Sequence, residues 1–199
     1  MRMKGKRHSI SDVAELCKWK LSLAVAFSAV TGYMLYAGGL LQGAVLDSSH
    51  LIDATVAGGI LLTGAGVFLL SAGASALNQF TERRSDALMA RTVGRPLPSG
   101  RMAPPAAMVV AVVMLAAGSM VLARGGTWPV LLGALNVILY NFIYTGLKKK
   151  TTLAIIPGAL VGAVPPLIGY TAAGGAMTDT RLLLFALFMF LWQMPHFWL

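Results

Sequence analysis

Apolar residues fall in long runs separated by short polar segments. Residues 21–41, 54–77, 103–123, 127–147, 152–172 and 182–199 each supply close to the stretch, about 20 mainly apolar residues, that a helix needs to cross a bilayer. The pattern predicts an all-α polytopic transmembrane helix bundle, with residues 1–20 as an N-terminal segment and 21–199 as the membrane domain. Ser-Asp-Val-Ala-Glu-Leu from Ser11 predicts a short amphipathic approach that brings Trp19 to headgroup level. Pro104 and Pro105 suit a helix start, whereas Pro157 and Pro165-Pro166 predict a kinked or locally unwound span. Small residues between Gly58 and Ser75 predict close helix packing.

Charge orients this bundle. Of 16 Lys and Arg, 14 lie in three segments: 1–20, 83–101 and 148–150. Such clustering fits the retention of basic loops on the cytoplasmic side better than binding to nucleic acid, despite a net charge of +9. Loops 42–53 and 173–181 then lie outside. A 57% hydrophobic composition with only 12% charged residues excludes an ordinary soluble core. Cys17, the one cysteine, excludes an intrachain disulfide or a cysteine metal cluster. The first apolar run is long enough to span and has no convincing small-residue cleavage site, so it is expected to stay as a helix.

Chemistry concentrates between Leu77 and Arg101. In a helix, Asn78, Glu82 and Asp86 recur every four residues along one face. An amide oxygen and two carboxylates suit a hard divalent cation, and Mg²⁺ is commonly held by one or two carboxylates together with substrate phosphate oxygens. Arg83, Arg84, Arg91 and Arg95 can supply forked donors to phosphate. The plain alternative is a solvated loop between two spans; the shared helical spacing and the rigid Arg-Pro-Leu-Pro segment favour a metal-diphosphate site. A second constellation, Tyr140, Asn141, Tyr144 and Lys148, ends the fourth span, with Tyr140, Tyr144 and Lys148 four apart. It can bind diphosphate oxygens or stabilise a cation through π contact; it can equally be an aromatic belt followed by topology-setting lysines.

Several motifs resemble one known family. Asn78, Glu82, Asp86, Met89, Arg91, Thr92, Arg95, Pro96, Leu97, Pro98, Gly100 and Arg101 resemble the signature N-x3-D-x3-D-x2-M-x-R-T-x2-R-P-L-P-x-G-R of the protohaem IX farnesyltransferases, a branch of the UbiA-type intramembrane prenyltransferases. Glu82 stands where that pattern has aspartate, keeping the charge and adding a methylene. Tyr144-Thr145-Gly146-Leu147-Lys148 is similar to Y-T-P-L-K-R, with Gly146 in place of proline and Lys149 in place of arginine. Gly162 to Tyr170 is similar to G-A-x-P-P-x-x-G-W/Y, and Trp192 to Trp198 to W-Q-x-P-H-F-W.

The resemblance implies a UbiA-type fold and transfer of a farnesyl group from farnesyl diphosphate to a vinyl group of haem B, giving haem O. It implies Mg²⁺ held by Asn78, Glu82 and Asp86, charge stabilisation by Arg91, Arg95 and Lys148, and substrate contacts from Tyr140 and Tyr144. His196, the one histidine in an expected span, is a candidate haem ligand or propionate partner, with a hydrogen-bonded packing histidine as the alternative. His8 and His50 read as solvated. The implied setting is the bacterial inner membrane, with haem A synthase or terminal oxidase assembly as possible partners. The family's pattern continues past P-H-F-W with a second acidic motif and three more helices, so the chain reads as about six of nine spans. Other aromatic or quinone prenyl transfer is the runner-up. A transporter fits less well because the acids cluster at one surface, and a non-catalytic haem-handling protein is the remaining reading.

Overall fold

The computed structural model describes residues 9–38 and 54–196, with His196 placed in its backbone alone. Helix α1 spans Ile10–Leu16, and Ser9 and Asp12 close a capping box around its start, so the amphipathic approach begins earlier than Ser11. Helices α2 (Trp19–Ala37), α3 (Ala54–Asp86) and α4 (Pro104–Leu122) follow. Next, α5 runs Thr127–Ile138, widens into a π-helical stretch over Leu139–Tyr144 and ends in one α turn, Thr145–Leu147. Helices α6 (Ile155–Ala172) and α7 (Thr180–His196) complete the described chain, in which there is no strand. The external loop expected at 42–53, with Asp47, His50 and Asp53, lies outside the described residues, as do His8, Phe197 and Trp198.

Among the described residues, five helices are long and apolar enough to cross a membrane, and the described part of the sixth expected span, Thr180–Pro195, is shorter. Its helix begins at Thr180, two residues before the apolar run expected from 182, for a local reason. Gly174 turns the chain with φ +101°, and Asp179 Oδ1 accepts from the Arg181 N–H at 2.9 Å, fixing the first turn of α7 at Thr180. The helix of the second span outruns its apolar stretch at the other end. Instead of ending near residue 77, α3 continues to Asp86; its 33 residues extend roughly 50 Å at 1.5 Å per residue, well beyond a bilayer's hydrocarbon core. Phe27, Leu61 and Met120 face outward and are more than two-thirds exposed, as suits helices whose solvent is lipid.

Helix association relies on close backbone approach. A side chain at Gly118 of α4 would stand 2.7 Å from the Leu70 amide nitrogen of α3, and one at Gly169 of α6 would meet the Ala29 carbonyl of α2. The break expected at Pro165-Pro166 is not an unwinding: α6 remains helical through both, and Pro157 falls in its first turn, where no N–H is required. The carbonyls that the two prolines leave unpaired belong to Val161 and Gly162, which line a cavity. Ala29, Val67, Leu70, Leu122, Leu132, Val164 and Ile168 form one core cluster among five helices. Leu16, Ala76, Leu97, Met102, Ala107 and Ala111 form a second, which seats α1 and the 87–103 segment on α3 and α4.

Candidate functional site

A cavity of about 980 Å³ opens between α2, α3, α5, α6 and α7 and takes in both constellations. It sits at the upper end of the roughly 300–1,000 Å³ typical of ligand pockets, which leaves room for more than one small ligand. Asn78, Glu82, Asp86, Arg91, Arg95, Tyr140, Tyr144 and Lys148 all line it. Deeper walls are mainly apolar, with Val25, Val67, Leu70, Val137 and Ile168 among them, interrupted by Ser28, Ser71, Ser75 and Asn136.

Regular helix geometry explains one wall. Because α3 continues unbroken to Asp86, the three oxygen-bearing side chains at every fourth position face the cavity, and all are buried: Asn78 1%, Glu82 7% and Asp86 3% exposed. The helix is closed by Thr92, whose hydroxyl donates to the Asp86 carbonyl at 2.8 Å. That bond folds the following segment back over the helix end, and Arg95 Nη1 donates to Asp86 Oδ2 at 2.7 Å. Asn78 Nδ2 donates to Thr145 Oγ1 at 2.9 Å, leaving its amide oxygen for another partner.

The opposite wall departs from the regular helix expected over 127–147. At the π-helical stretch the Thr145 N–H bonds back to the Tyr140 carbonyl, and Thr145 Oγ1 donates to the same carbonyl at 2.8 Å. Widening the turn stacks the Tyr140 and Tyr144 rings with centroids 6.1 Å apart and 15° between planes. Lys148 then lies 5.6 Å over the Tyr144 ring and donates to Glu82 Oε2 at 2.7 Å, while Lys149 Nζ stands 3.2 Å from Glu82 Oε1. The two constellations therefore meet through ion pairs and the Asn78–Thr145 bond.

Two of the four candidate arginines do not reach the cavity. Arg83 Nη1 donates to the Phe80 carbonyl at 2.6 Å and its guanidinium stacks on the Phe80 ring, because a helix turns residues 83 and 84 about 100° and 200° away from Glu82. Arg84 is likewise absent from the lining, whereas Arg91 and Arg95 belong to it. His196 ends α7, three residues after the cavity-lining Gln193, and its side chain lies outside the described residues.

Lys18 was not singled out by its sequence context. It links α1 to α2 in the left-handed conformation, φ 46°, and its Nζ donates to the Tyr140 hydroxyl at 3.3 Å inside the cavity. Burial holds this ammonium below the ordinary lysine range, and Arg95 pushes the same way. Its presence among topology-setting lysines masked it; the signal available was its place at the break between two helical patterns. Thr145 and Gln193 lie within quoted motifs, yet spacing alone assigned neither a role.

The donor set fits a hard cation. Two buried carboxylates and an amide oxygen face one cavity, and each carboxylate already balances a cation that can turn to phosphate oxygens instead. No group of three or more His, Cys, Asp or Glu suited to a metal occurs among the described residues, so a cation here draws further ligands from substrate or water.

These features define a helical, membrane-embedded class of protein with a carboxylate- and cation-lined cavity at one end of its spans. Residues 25–199 match the UbiA prenyltransferase family, and the chain belongs to it. It is an integral membrane protein. The chain is 47% identical over 161 residues to the protoheme IX farnesyltransferase of Geobacter sulfurreducens, an alignment covering 80% of this chain and 60% of that one. With the protoheme IX farnesyltransferase of Christiangramia forsetii it shares 39% identity, over 95% of this chain and 58% of the relative. This chain thus spans about three-fifths of the length of these relatives. A solved structure described as digeranylgeranylglyceryl phosphate synthase superposes with a TM-score of 0.73 at 17% identity, over 95% of this chain and 60% of that one, and shares the fold.

Proposed function

We propose that the cavity binds farnesyl diphosphate and haem B and transfers the farnesyl group to a haem vinyl carbon, giving haem O. The observation that carries this reading is the meeting of both charged constellations at the mouth of one cavity whose deeper walls are mainly apolar. A prenyl diphosphate has the same division, an anionic head on an apolar chain. Relatives named for this activity support the choice of substrates.

Asn78, Glu82 and Asp86 are the residues that would hold Mg²⁺. When bound, the ion supplies Lewis-acid neutralisation of the diphosphate. Arg91, Arg95, Lys148 and Lys18 orient the diphosphate oxygens and stabilise the negative charge that grows on the leaving group. The stacked Tyr140 and Tyr144 rings present π faces toward the allylic cation. The farnesyl C1–O bond breaks, diphosphate departing with the electron pair, and apolar walls limit water around the allylic cation until the vinyl carbon captures it; one water then adds to the resulting haem-side cation with loss of a proton. His196 is assigned to haem, as axial ligand or propionate partner. The basic mouth lies on the cytoplasmic side of the bacterial inner membrane, with residues 1–20 beside it and the membrane domain from residue 21 onward; haem A synthase or an oxidase assembly would take the product.

The test is mass spectrometry of pigments from membranes that carry the chain, supplied with haem B, farnesyl diphosphate and Mg²⁺. A haem O mass is expected. Prenylation of an aromatic acid with unchanged haem would overturn the choice of acceptor.

A further inference from the structure

Arg101 closes the Arg-Pro-Leu-Pro-x-Gly-Arg run but is not part of the cavity wall. Its guanidinium turns toward α1 instead. Nη1 donates to Asp12, Nη2 donates to Glu15 Oε2 at 2.7 Å and to the Gly94 carbonyl at 2.6 Å, and Nε donates to Ser99 Oγ at 3.2 Å. One planar fork thus ties two carboxylates of α1 to two points of the motif segment, which a lysine's single point charge cannot reproduce.

A second, buried attachment acts on the same helix. Gln79 Nε2 donates to the carbonyls of Glu15 and Leu16 at 3.0 and 2.9 Å, satisfying the end of α1, and Leu16 is fully buried against the second core cluster. Lys18 follows two residues later in the left-handed conformation, which a lysine keeps only where its surroundings impose it. The position of the Lys18 ammonium beside Tyr140 therefore depends on where α1 is held.

We propose that Arg101 is a positioning residue: it clasps α1 to the motif segment and so keeps Lys18 in the cavity mouth, without itself touching the diphosphate. The clasp stands on geometry alone; its consequence for diphosphate rests on the function proposed above.

Cys17, the only cysteine in the chain, caps the end of α1 and is 4% exposed, so its labelling by a maleimide reports docking of α1. Slow labelling is expected in the parent chain in nanodiscs. Arg101→Ala, and separately Asp12→Asn with Glu15→Gln, should each speed it by about threefold or more, the order for losing a part-exposed, charge-assisted contact. Arg101→Lys should fall between. The paired α1 variant leaves the motif segment intact and carries the test if Arg101→Ala unfolds the bundle. Ala159→Cys in a Cys17→Ser background, at a fully buried site in α6, should stay protected beside Arg101→Ala, showing that the opening is local.

Calorimetry with inorganic diphosphate and Mg²⁺ reads the consequence. Arg101→Ala and Lys18→Met should each weaken binding, and the two together no more than Lys18→Met alone. Unchanged Cys17 protection in both clasp-breaking variants would overturn the clasp, and a full additional loss from Arg101→Ala on top of Lys18→Met would make Arg101 a direct ligand. A parent chain that binds no diphosphate would sink the diphosphate reading, while the Cys17 result would still decide the clasp.

Discussion

The two walls of the cavity mouth reach the same end by different backbone routes. On α3, a continuous helix carries Asn78, Glu82 and Asp86 at ideal four-residue spacing. On α5, Tyr140, Tyr144 and Lys148 have the same spacing in sequence, but the π-helical stretch Leu139–Tyr144 changes what that spacing means. A π turn rotates each residue less than an α turn does, so residues four apart are displaced around the axis and Lys148 swings across toward Glu82. Equal sequence periods therefore do not imply equal faces; a side chain that re-routes the backbone decides which face forms.

The α3 wall holds the carboxylates, so breaking it should have the largest effect. Asp86→Asn keeps the shape of the side chain and removes its charge, leaving Arg95 a neutral acceptor in place of the carboxylate now 2.7 Å away. Turnover should fall by ~10²-fold or more, the order for removing a principal electrostatic contributor, while membrane insertion is unchanged. Steady-state rates with saturating substrates measure this. Normal turnover would remove Asp86 from the metal site and leave the α5 wall as the chemically important one.

Breaking the α5 wall should act first on structure. Thr145 Oγ1 donates to the Tyr140 carbonyl and accepts from Asn78, and Thr145 is buried. Thr145→Val keeps the volume and leaves the Asn78 amide without its acceptor, which costs about 1–3 kcal/mol for a buried donor. Thr145→Ser, which keeps the hydroxyl, should lose much less. Thermal unfolding of the two variants separates these outcomes, and equal melting temperatures would mean that the π turn does not need the Thr145 hydroxyl.

What could be read in advance follows the same division. Helix class, the order of the apolar runs and the shared face of Asn78, Glu82 and Asp86 were legible because each depends on local periodicity. The length of α3 beyond residue 77 was less so, since polar residues past the apolar run gave no stop signal before the Thr92 cap. The departure of Arg83 from the cavity follows from the helical angle once α3 is continuous. By contrast, the π turn depends on Thr145 choosing a carbonyl five residues back, and the place of Lys18 depends on a clasp between residues 86 positions apart or more. Neither leaves a mark in hydropathy or charge.

The smallest effect should come from Glu82, where the acidic motif departs from the signature it resembles. Glu82 spans two partners, Lys148 at 2.7 Å and Lys149 at 3.2 Å, on the side where the π turn brings the lysines across. Glu82→Asp retracts the carboxylate by one methylene, so it keeps its charge for a cation but cannot hold both lysines in the same geometry. Lys149, half-exposed and also bonded to Ser85 Oγ at 3.0 Å, is the partner to be lost. An ion pair this exposed contributes little, so turnover should stay within about threefold of the parent. Lys149→Met should match that small change, whereas Lys148→Met, at a lysine stacked on Tyr144, should weaken diphosphate binding further. If Glu82→Asp lost as much turnover as Asp86→Asn, the extra methylene would be required to bridge the gap that the π turn sets between the two walls. The α3 and α5 walls would then have to be treated as one fitted pair.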